Sequence, residues 1–585
     1  MKRNVIYLFM WGYQSHYRIW LENYTKNVFE QLGIKDKPKV LLVGACSPEK
    51  NNNNPICIEP EDGEWGLDLF PNLLAAIEEN IKNHPNKNIF YGDALSMREK
   101  PERIRRDSVT TSVRHALKPY DENNNTQSFC GMAYPVGDYY VVPVIQVPQC
   151  VIKKTKSIEV LNWAGHTYTL SFIRACLYEL LDKANDELKK PEAGRSKWGA
   201  VKVRDVLQPA AEHFLFQANQ GIHGKQVQYQ NEYLFEHLNM ISSLMYEGEK
   251  IEGKLIIFNP DSQSVNFTLK FKEYVPIKNF RWSRKVLQMA TNEVALICDG
   301  SKIYGLGKLN QDYDSAEKEV LIIEFLDHYY WALYYDNSIM MYSHYAQPEL
   351  PQKLISEQDF IVNFARVFPE TSKKDHQYIW ELFNTSIKQL SGCMLVFASD
   401  AKEEAQRLLH QGTGVEPVLM NKELLSRVRH IDGSILLDPF GVCYAIGVIL
   451  DGIANDECTP SRGSRFNSGM RYIYNDDMKA KRRLSIVVSE DRTVDIIPLL
   501  PPRISEKELE SHVSGLESSN ENNYHKHQSW LDDHRFYLNQ ERCDRSNQAL
   551  DRLDAIPREV GELRWLVEHF VVSLEMDESF FLPRI

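Results

Sequence analysis

The apolar residues of this chain fall in short runs, each bounded by glycine or by polar residues. The run Val5–Tyr13 is far shorter than the ~20 residues of a membrane-spanning helix, and we interpret it as a buried first strand. Lys39–Gly44 (KVLLVG) is a continuous apolar run that ends in glycine, which is typical of a buried strand. Helical periodicity marks Leu73–Asn83 and Ile173–Leu188. The alternation predicts an α/β multidomain protein.

The length of 585 residues predicts several domains, because one domain usually holds ~100–200 residues. The pattern divides the chain into an α/β module of unknown role (1–205), a β-rich module (206–370), a second α/β domain (371–505), a linker (506–528) and a helical tail (529–585). Asp299-Gly300 between two apolar runs predicts a hairpin in the β-rich module, which we interpret as a sensor. The tail either packs on its own chain or joins a dimer.

The composition argues against several classes of binding partner. The net charge is −12, from 68 basic and 80 acidic residues, which argues against a dedicated nucleic-acid or anionic-membrane binder. The ten cysteines show no Cys-x-x-Cys spacing, so a zinc ribbon is not predicted. Scattered thiols are typical of a reducing compartment, and we expect a cytoplasmic protein.

One helix start has the residues of a phosphate site. Gly463 and Ser464 open a predicted helix, where backbone N–H groups and the positive end of the helix dipole favour an anion. Arg462 and Arg465 flank this turn and can neutralise a polyphosphate.

Acidic residues near two predicted strands complete the pattern. Asp432 precedes a glycine at a strand start, and Glu490 and Asp491 follow the end of another strand. Two carboxylates from neighbouring strands suit a divalent metal ion that is bound to a nucleotide. Taken singly, each of these motifs is more often a turn, a helix cap or a loop.

In their order and spacing, the motifs resemble those of the diadenylate cyclase (DAC) domain family, whose members join two ATP molecules into cyclic di-AMP. That family carries Asp-Gly-Ala at a strand start, Gly-Thr-Arg-His-Arg at a helix start and a Val-Ser-Glu-Glu-like strand end. Here the motifs read Asp432-Gly433-Ser434, Gly463-Ser464-Arg465-Phe466-Asn467 and Val488-Ser489-Glu490-Asp491. The resemblance covers under a quarter of the chain and implies that residues 371–505 form a mixed-sheet α/β nucleotide-binding domain.

The resemblance implies a role for each matching residue. Asp432 would hold the metal ion and assist the attacking 3′-hydroxyl. Arg465 would contact phosphates, and Asp491 or Glu490 would lie near the metal ion. The implied nucleotide-binding positions are Gly433, Ser434, Gly447, Leu450, Arg462, Gly463, Ser464, Asn467 and Ser489.

The chain departs from the family pattern at two positions. Phe466 stands where the family has histidine, and Asn467 where it has the second arginine, so the triphosphate site lacks a donor and a positive charge. Arg462 and Arg471 could restore the charge, or both are solvated surface arginines.

The function implied by the resemblance is cyclisation of ATP with Mg²⁺ or Mn²⁺ as cofactor, regulated by the N-terminal modules. Because one domain holds one ATP, the active form would be at least a dimer. Two alternatives remain. A catalytically altered domain would act as a nucleotide or cyclic-dinucleotide sensor, which the altered residues 466 and 467 favour and the retained Asp432 and Asp491 disfavour. A scaffold joined through the tail is the second alternative.

Overall fold

The structure is a computed structural model of the chain, and it divides into two compact units, Val5–Pro351 and Gln352–Ile585. It describes residues 8–582 except 35, 51, 62, 154, 162–166, 196–201, 224–232, 249–250, 292, 311–319, 337, 352–356, 388–391, 429–430, 454–457, 459–462, 476–480, 490–493, 521–523, 558–565 and 574–575. Within these residues, no helix is both long enough and apolar enough to cross a membrane.

The N-terminal unit combines helices with mainly antiparallel sheets. Its helices are α1 (Gln14–Gln31), α2 (Leu73–Lys82), α3 (Ala94–Asn124), α4 (Gln149–Lys153), α5 (Phe172–Leu188), α6 (Arg204–His223), α7 (Leu234–Ser243) and α8 (Phe280–Leu287). Its strands are β1 (Lys39–Cys46), β2 (Ile56–Glu59), β3 (Thr126–Cys130), β4 (Tyr134–Val136), β5 (Tyr139–Pro148), β6 (Ile158–Leu161), β7 (Thr167–Leu170), β8 (Gly253–Phe258), β9 (Val265–Pro276), β10 (Ala295–Cys298), β11 (Lys302–Leu309), β12 (Val320–Asp327), β13 (Tyr330–Tyr335), β14 (Ser338–His344) and β15 (Gln347–Glu349).

The first sheet of this unit has the order β2-β1-β5-β3, with β4 beside β5. β1 is buried along almost its whole length, as the continuous apolar run predicts. The expected first strand is wrong for its described part, because residues 8–13 form turns. The buried Gln14 side chain sets this shape by accepting from the Met10 N–H at 2.7 Å and donating to the Leu8 carbonyl. Local hydrogen bonds of one buried polar side chain therefore override the apolar pattern.

The second sheet has the order β15-β14-β13-β12-β8-β10-β11-β9. The predicted hairpin is confirmed as β10 and β11, with Gly300 at φ +87° in the turn. The module interpreted as β-rich from residue 206 begins with helices α6 and α7, and its strands begin only at β8. Trp331 of β13 is fully buried and donates to Asn239.

The C-terminal unit contains a mixed sheet flanked by helices. Its helices are α9 (Glu357–Val367), α10 (Lys373–Ile387), α11 (Ala401–Arg407), α12 (Lys422–Val428), α13 (Ser464–Ile473), α14 (Glu506–Glu517), α15 (Tyr524–Asp533) and α16 (Gln540–Asp554). Its strands are β16 (Cys393–Ala398), β17 (Thr413–Leu419), β18 (Ser434–Leu437), β19 (Val442–Val448), β20 (Arg483–Val488) and β21 (Val494–Ile497), in the order β17-β19-β18-β16-β20-β21.

Strand β16 separates two hydrophobic cores because successive side chains of a strand point to opposite faces. Leu395 and Phe397 pack in the core that is shared with α9, α10 and α12. Met394 and Val396 pack in the core that is shared with α11 and α13. The sheet is therefore covered by helices on both faces, and the predicted mixed-sheet α/β class is confirmed.

The segment predicted as a linker differs from the prediction. Part of it forms α14, whose Leu509, Val513 and Leu516 recur at helical spacing and are fully buried in the core of the tail. The polar residues between them occupy the outer face of the helix. α15 begins inside the predicted linker. The predicted helical tail (529–585) is helical in the rest of α15 and in α16, but its described residues 566–573 form no helix.

Candidate nucleotide-binding site

The motif segments converge on one edge of the C-terminal sheet. β16 runs parallel to β18, with Met394 opposite Ser434, and antiparallel to β20, with Cys393 opposite Val488. The start of β18 and the end of β20 therefore lie at the same edge, on either side of β16. Ser489 follows directly after β20 and is half-buried. Strands are ~4.8 Å apart, so the two ends are separated by roughly 10 Å.

Asp432 and Arg465 meet at this edge. The Asp432 carboxylate is 97% exposed in the turn before β18, and its Oδ1 accepts from the Gly433 N–H at 3.1 Å. Arg465, in the first turn of α13, donates from Nη2 to the same oxygen at 3.4 Å. The structure thus brings together the carboxylate of one motif and the guanidinium of another.

Two glycines allow the turn that carries Asp432. Gly433 has φ +110° and Gly447 has φ +61°, both in the region that L side chains rarely adopt. A Cβ on Gly433 would lie 2.6 Å from the carbonyl carbon of Gly447, and one on Gly447 would lie 2.7 Å from Ile431. The backbones of the turn and of β19 can approach this closely only without side chains.

The start of α13 is exposed to solvent. Gly463 is the N-cap, has an extended backbone and gives the helix no side-chain cap, while Ser464 is the first helical residue. The first N–H groups of a helix have no intrahelical partner, so an anion beside Arg465 would meet these donors. Among the described residues, a Cβ added to Gly463 would meet nothing within 4 Å.

Other predicted positions have supporting contacts. Ser434 is fully buried and its hydroxyl donates to the Val448 carbonyl at 3.0 Å. Leu450 is buried, and Phe466 packs half-buried against the same core. The Asn467 carbonyl accepts from Nε of Arg471 at 3.1 Å.

Three candidates, Arg462, Glu490 and Asp491, lie outside the described residues.

A buried ionic network, which the sequence interpretation missed, attaches α13 to the sheet. Arg483 at the start of β20 contacts Glu404 of α11 at 3.0 Å, and Tyr472 of α13 donates to Glu404 at 2.9 Å. Arg407 also donates to Glu404, at 2.6 and 2.9 Å, and to Asp451 at 2.8 Å. The available signal was the carboxylate of Glu404 on the apolar face of a helix.

The network keeps Glu404 ionised. Burial acts to raise the pKa of the Glu404 carboxyl, but the hydrogen bonds from Arg407 and the charge of Arg483 outweigh it, so the pKa lies below its usual value. A fixed α13 in turn fixes the position of Arg465.

Comparison with known proteins identifies two regions of the N-terminal unit. Residues 10–215 match the family model described as "Probable sensor domain DACNG", and residues 232–337 match "Probable sensor domain DACNH". The N-terminal unit is similar to two sensor-domain families. The second match lies within the module interpreted as a sensor, and the first covers most of the module to which we assigned no role.

The other comparisons are narrower. No curated protein matches the chain. Among solved structures, a cysteine double mutant of DacA from Staphylococcus aureus is similar over 21% of this chain and 81% of its own, with 17% identity and a TM-score of 0.18.

Proposed function

We propose that the C-terminal unit is a diadenylate cyclase-like nucleotidyltransferase, which condenses two ATP molecules into cyclic di-AMP, or a related cyclic dinucleotide, and releases pyrophosphate. The observation that carries the proposal is the contact between Asp432 and Arg465 at the sheet edge. The sensor-domain matches in the N-terminal unit support it in a wider sense, since these sensor families accompany diadenylate cyclase domains.

Different side chains position the phosphates and the attacking hydroxyl. Arg465 and the N–H groups at the start of α13 hold phosphate oxygens and stabilise the charge that develops during phosphoryl transfer. Asp432 accepts a hydrogen bond from the 3′-hydroxyl of one nucleotide and orients it toward the α-phosphate of the other. No covalent intermediate on the protein is required.

The donor set fits a divalent ion that arrives with the nucleotide. Mg²⁺ is commonly held by one or two carboxylates together with substrate phosphates, and the exposed Asp432 supplies one such carboxylate. Within the described residues, no group of three or more His, Cys, Asp or Glu side chains could hold an ion independently of the nucleotide. Mg²⁺ or Mn²⁺ held here would neutralise phosphate charge.

Apolar side chains beside the site support self-association. Ile431, next to Asp432, is 48% exposed, and Ile449, just after β19, is 66% exposed. Exposed apolar groups at a catalytic edge are suited to burial by another protein surface. A second copy of this chain would supply the second ATP, as the reaction needs.

The alternative, a nucleotide sensor without catalysis, is favoured by one observation. The family's second arginine is replaced by Asn467, and Phe466 beside it packs against the core. Arg471 donates to the Asn467 carbonyl, so its guanidinium is already engaged by the helix backbone.

The proposal is tested by incubating the purified full chain with ATP and Mn²⁺ and searching for a cyclic dinucleotide by mass spectrometry. Asp432→Asn keeps the shape but removes the charge, so we expect the rate to fall by at least ~10²-fold. Glu423→Gln, an exposed carboxylate on α12, is the matched control. An Asp432→Asn protein as active as the parent contradicts the assignment. If the chain binds ATP but forms no product, it is a nucleotide sensor. If it binds no nucleotide, only the scaffold alternative remains.

A further inference from the structure

A cleft of about 370 Å³ opens in the N-terminal unit where β1 ends. Its floor is formed by Ala45 and Cys46 of β1 and by Tyr140 of the paired strand β5. Small-molecule clefts usually measure ~300–1,000 Å³, so this one has room for a small ligand. It belongs to the region that matches a sensor domain and is independent of the function proposed above.

Apolar side chains form the body of the cleft. α2 contributes Leu74 and Ile77 to one wall, α3 contributes Val109, and Pro48 and Pro55 lie at the rim. Such a lining buries an apolar or aromatic group of a ligand.

The charged side chains that line the cleft carry a net positive charge. Lys50 and Arg105 line it together with a single carboxylate, Glu78. Each cation has a loose partner: Arg105 lies 3.4 Å from Glu78, and Lys50 lies 3.4 Å from Asp138, which does not line the cleft. The Glu78 carboxylate is 62% exposed, and exposed pairs of this kind are worth little. An anion entering the cleft can therefore compete for Arg105.

Arg105 is well placed to anchor such an anion. Its side chain is only 27% exposed and lines the cleft together with Tyr140, whose hydroxyl donates to Glu102 at 2.9 Å. A guanidinium has five N–H donors in a planar fork that matches a carboxylate or a phosphate, and Glu78 is the one acceptor it contacts among the described residues.

We propose that this cleft binds a small molecule with one anionic group, a carboxylate or a phosphate monoester, on a compact apolar body. Arg105 and Lys50 hold the anionic group, and the apolar lining covers the body. Cys46 lies at the floor with its thiol directed to the carbonyls of Ser47 and Lys50, and its half-buried position makes it a reporter of occupancy.

The test uses the full chain and three probes: benzoate, phenyl phosphate and neutral benzamide. Calorimetry measures affinity, and alkylation of Cys46 by iodoacetamide, mapped by mass spectrometry, measures occupancy. Cys150 is exposed and serves as the internal reference. We expect at least one of the two anions to bind and to slow labelling of Cys46 relative to Cys150, and benzamide to do neither. The stronger of the two anions identifies the anionic group.

Variants locate the anchor. Arg105→Ala should weaken binding about ten- to hundredfold, because it removes a charge-assisted hydrogen bond. Glu78→Gln should strengthen it, since the competing carboxylate is gone. Arg103→Ala is the control, because Arg103 is 54% exposed on the same helix and contacts Glu99 instead. The proposal is overturned if neither anion binds, if benzamide binds equally well, or if Arg105→Ala retains the parental affinity. Cys46 protection in the parent needs no variant, so it remains decisive if Arg105→Ala misfolds.

Discussion

Arg483 and Glu404 form an ion pair of 3.0 Å between β20 and α11, and their side chains are 2% and 1% exposed. The Arg483 guanidinium also lies over the ring of Tyr472, 4.5 Å from its centroid. Because Tyr472 belongs to α13, this pair links the sheet to the helix that carries Arg465. Its strength therefore bears on both the stability of the C-terminal unit and the geometry of the site.

Breaking the pair should be costly. Glu404→Leu removes one carboxylate from the buried Arg483, which still contacts Asp400 at 3.2 Å, so we expect the C-terminal unit to lose about 3 kcal/mol of stability, the lower end of the usual cost. Hydrogen exchange of β16 and β20 amides measures this loss in the intact chain. Replacing both residues, Glu404→Leu with Arg483→Met, should cost less than the sum of the single changes. Arg427→Ala, at an exposed pair with Glu423, should change stability by only ~0.5 kcal/mol.

The stability of the N-terminal unit should depend on pH through Glu212. Burial raises the pKa of the Glu212 carboxyl to about 7, against the hydrogen bonds it accepts from the Phe235 and Glu236 N–H groups at the start of α7. An unfolded glutamate has a pKa of ~4.3, so its contribution is complete below that pH and is lost as pH rises through about 7. Exchange of α7 amides should therefore speed up, beyond its intrinsic pH dependence, over this window. Glu212→Gln should remove that extra dependence, and an unchanged pH dependence would contradict the assignment.

Gly433→Ala should damage the turn that carries Asp432. The new Cβ would collide with the backbone of Gly447, and a non-glycine residue with such a positive φ costs ~1–3 kcal/mol. We expect lower stability and weaker ATP binding together, measured by hydrogen exchange of β18 and by calorimetry. Gly414→Ala, in β17, is the matched comparison for stability, because Gly414 has no positive φ and a Cβ there would make only an ordinary contact of 3.5 Å with Leu409. Equal stability of the two variants would show that the close approach is dispensable.

Arginine variants should show which residues supply the positive charge that balances the triphosphate. Arg465→Ala removes the guanidinium beside Asp432, and we expect ATP affinity to fall about ten- to hundredfold. The sequence predicts a similar loss for Arg462→Ala and only partial recovery with Arg462→Lys, because lysine lacks the bidentate fork. If Arg465→Ala is impaired while Arg462→Ala binds ATP like the parent, Arg462 does not supply the charge that is missing at position 467. The nucleotide-sensor alternative then gains support.

Prediction from sequence worked where an element is buried on both faces. The sequence predicts strands at β1, at β18 and at β20, and each of them is buried along nearly its whole length. No apolar pattern marks β17, because it is an exposed edge strand that contains glycine and proline and pairs with β19 through an irregular register. The apolar pattern also gives the wrong prediction around Met10, because two hydrogen bonds of the Gln14 side chain shape these residues.

The same division holds for the candidate site. The local motifs named Asp432 and Arg465 as candidates, because the chemistry of a phosphate site calls for a carboxylate before a glycine turn and an arginine at a helix start. Their contact was not contained in either motif. It depends on the register of β18 and β20 against β16, on the close approach of Gly433 and Gly447, and on the buried anchor of α13 at Glu404.

The amino-acid order alone determined the periodicity of the helices and strands and the chemical types available at each turn, because these depend on residues close together in the chain. Only the tertiary structure decided which turns meet, how exposed Asp432 is, and that a cleft opens beside Arg105. Those properties arise from contacts between distant segments, and each such contact forms only when packing and backbone register allow it.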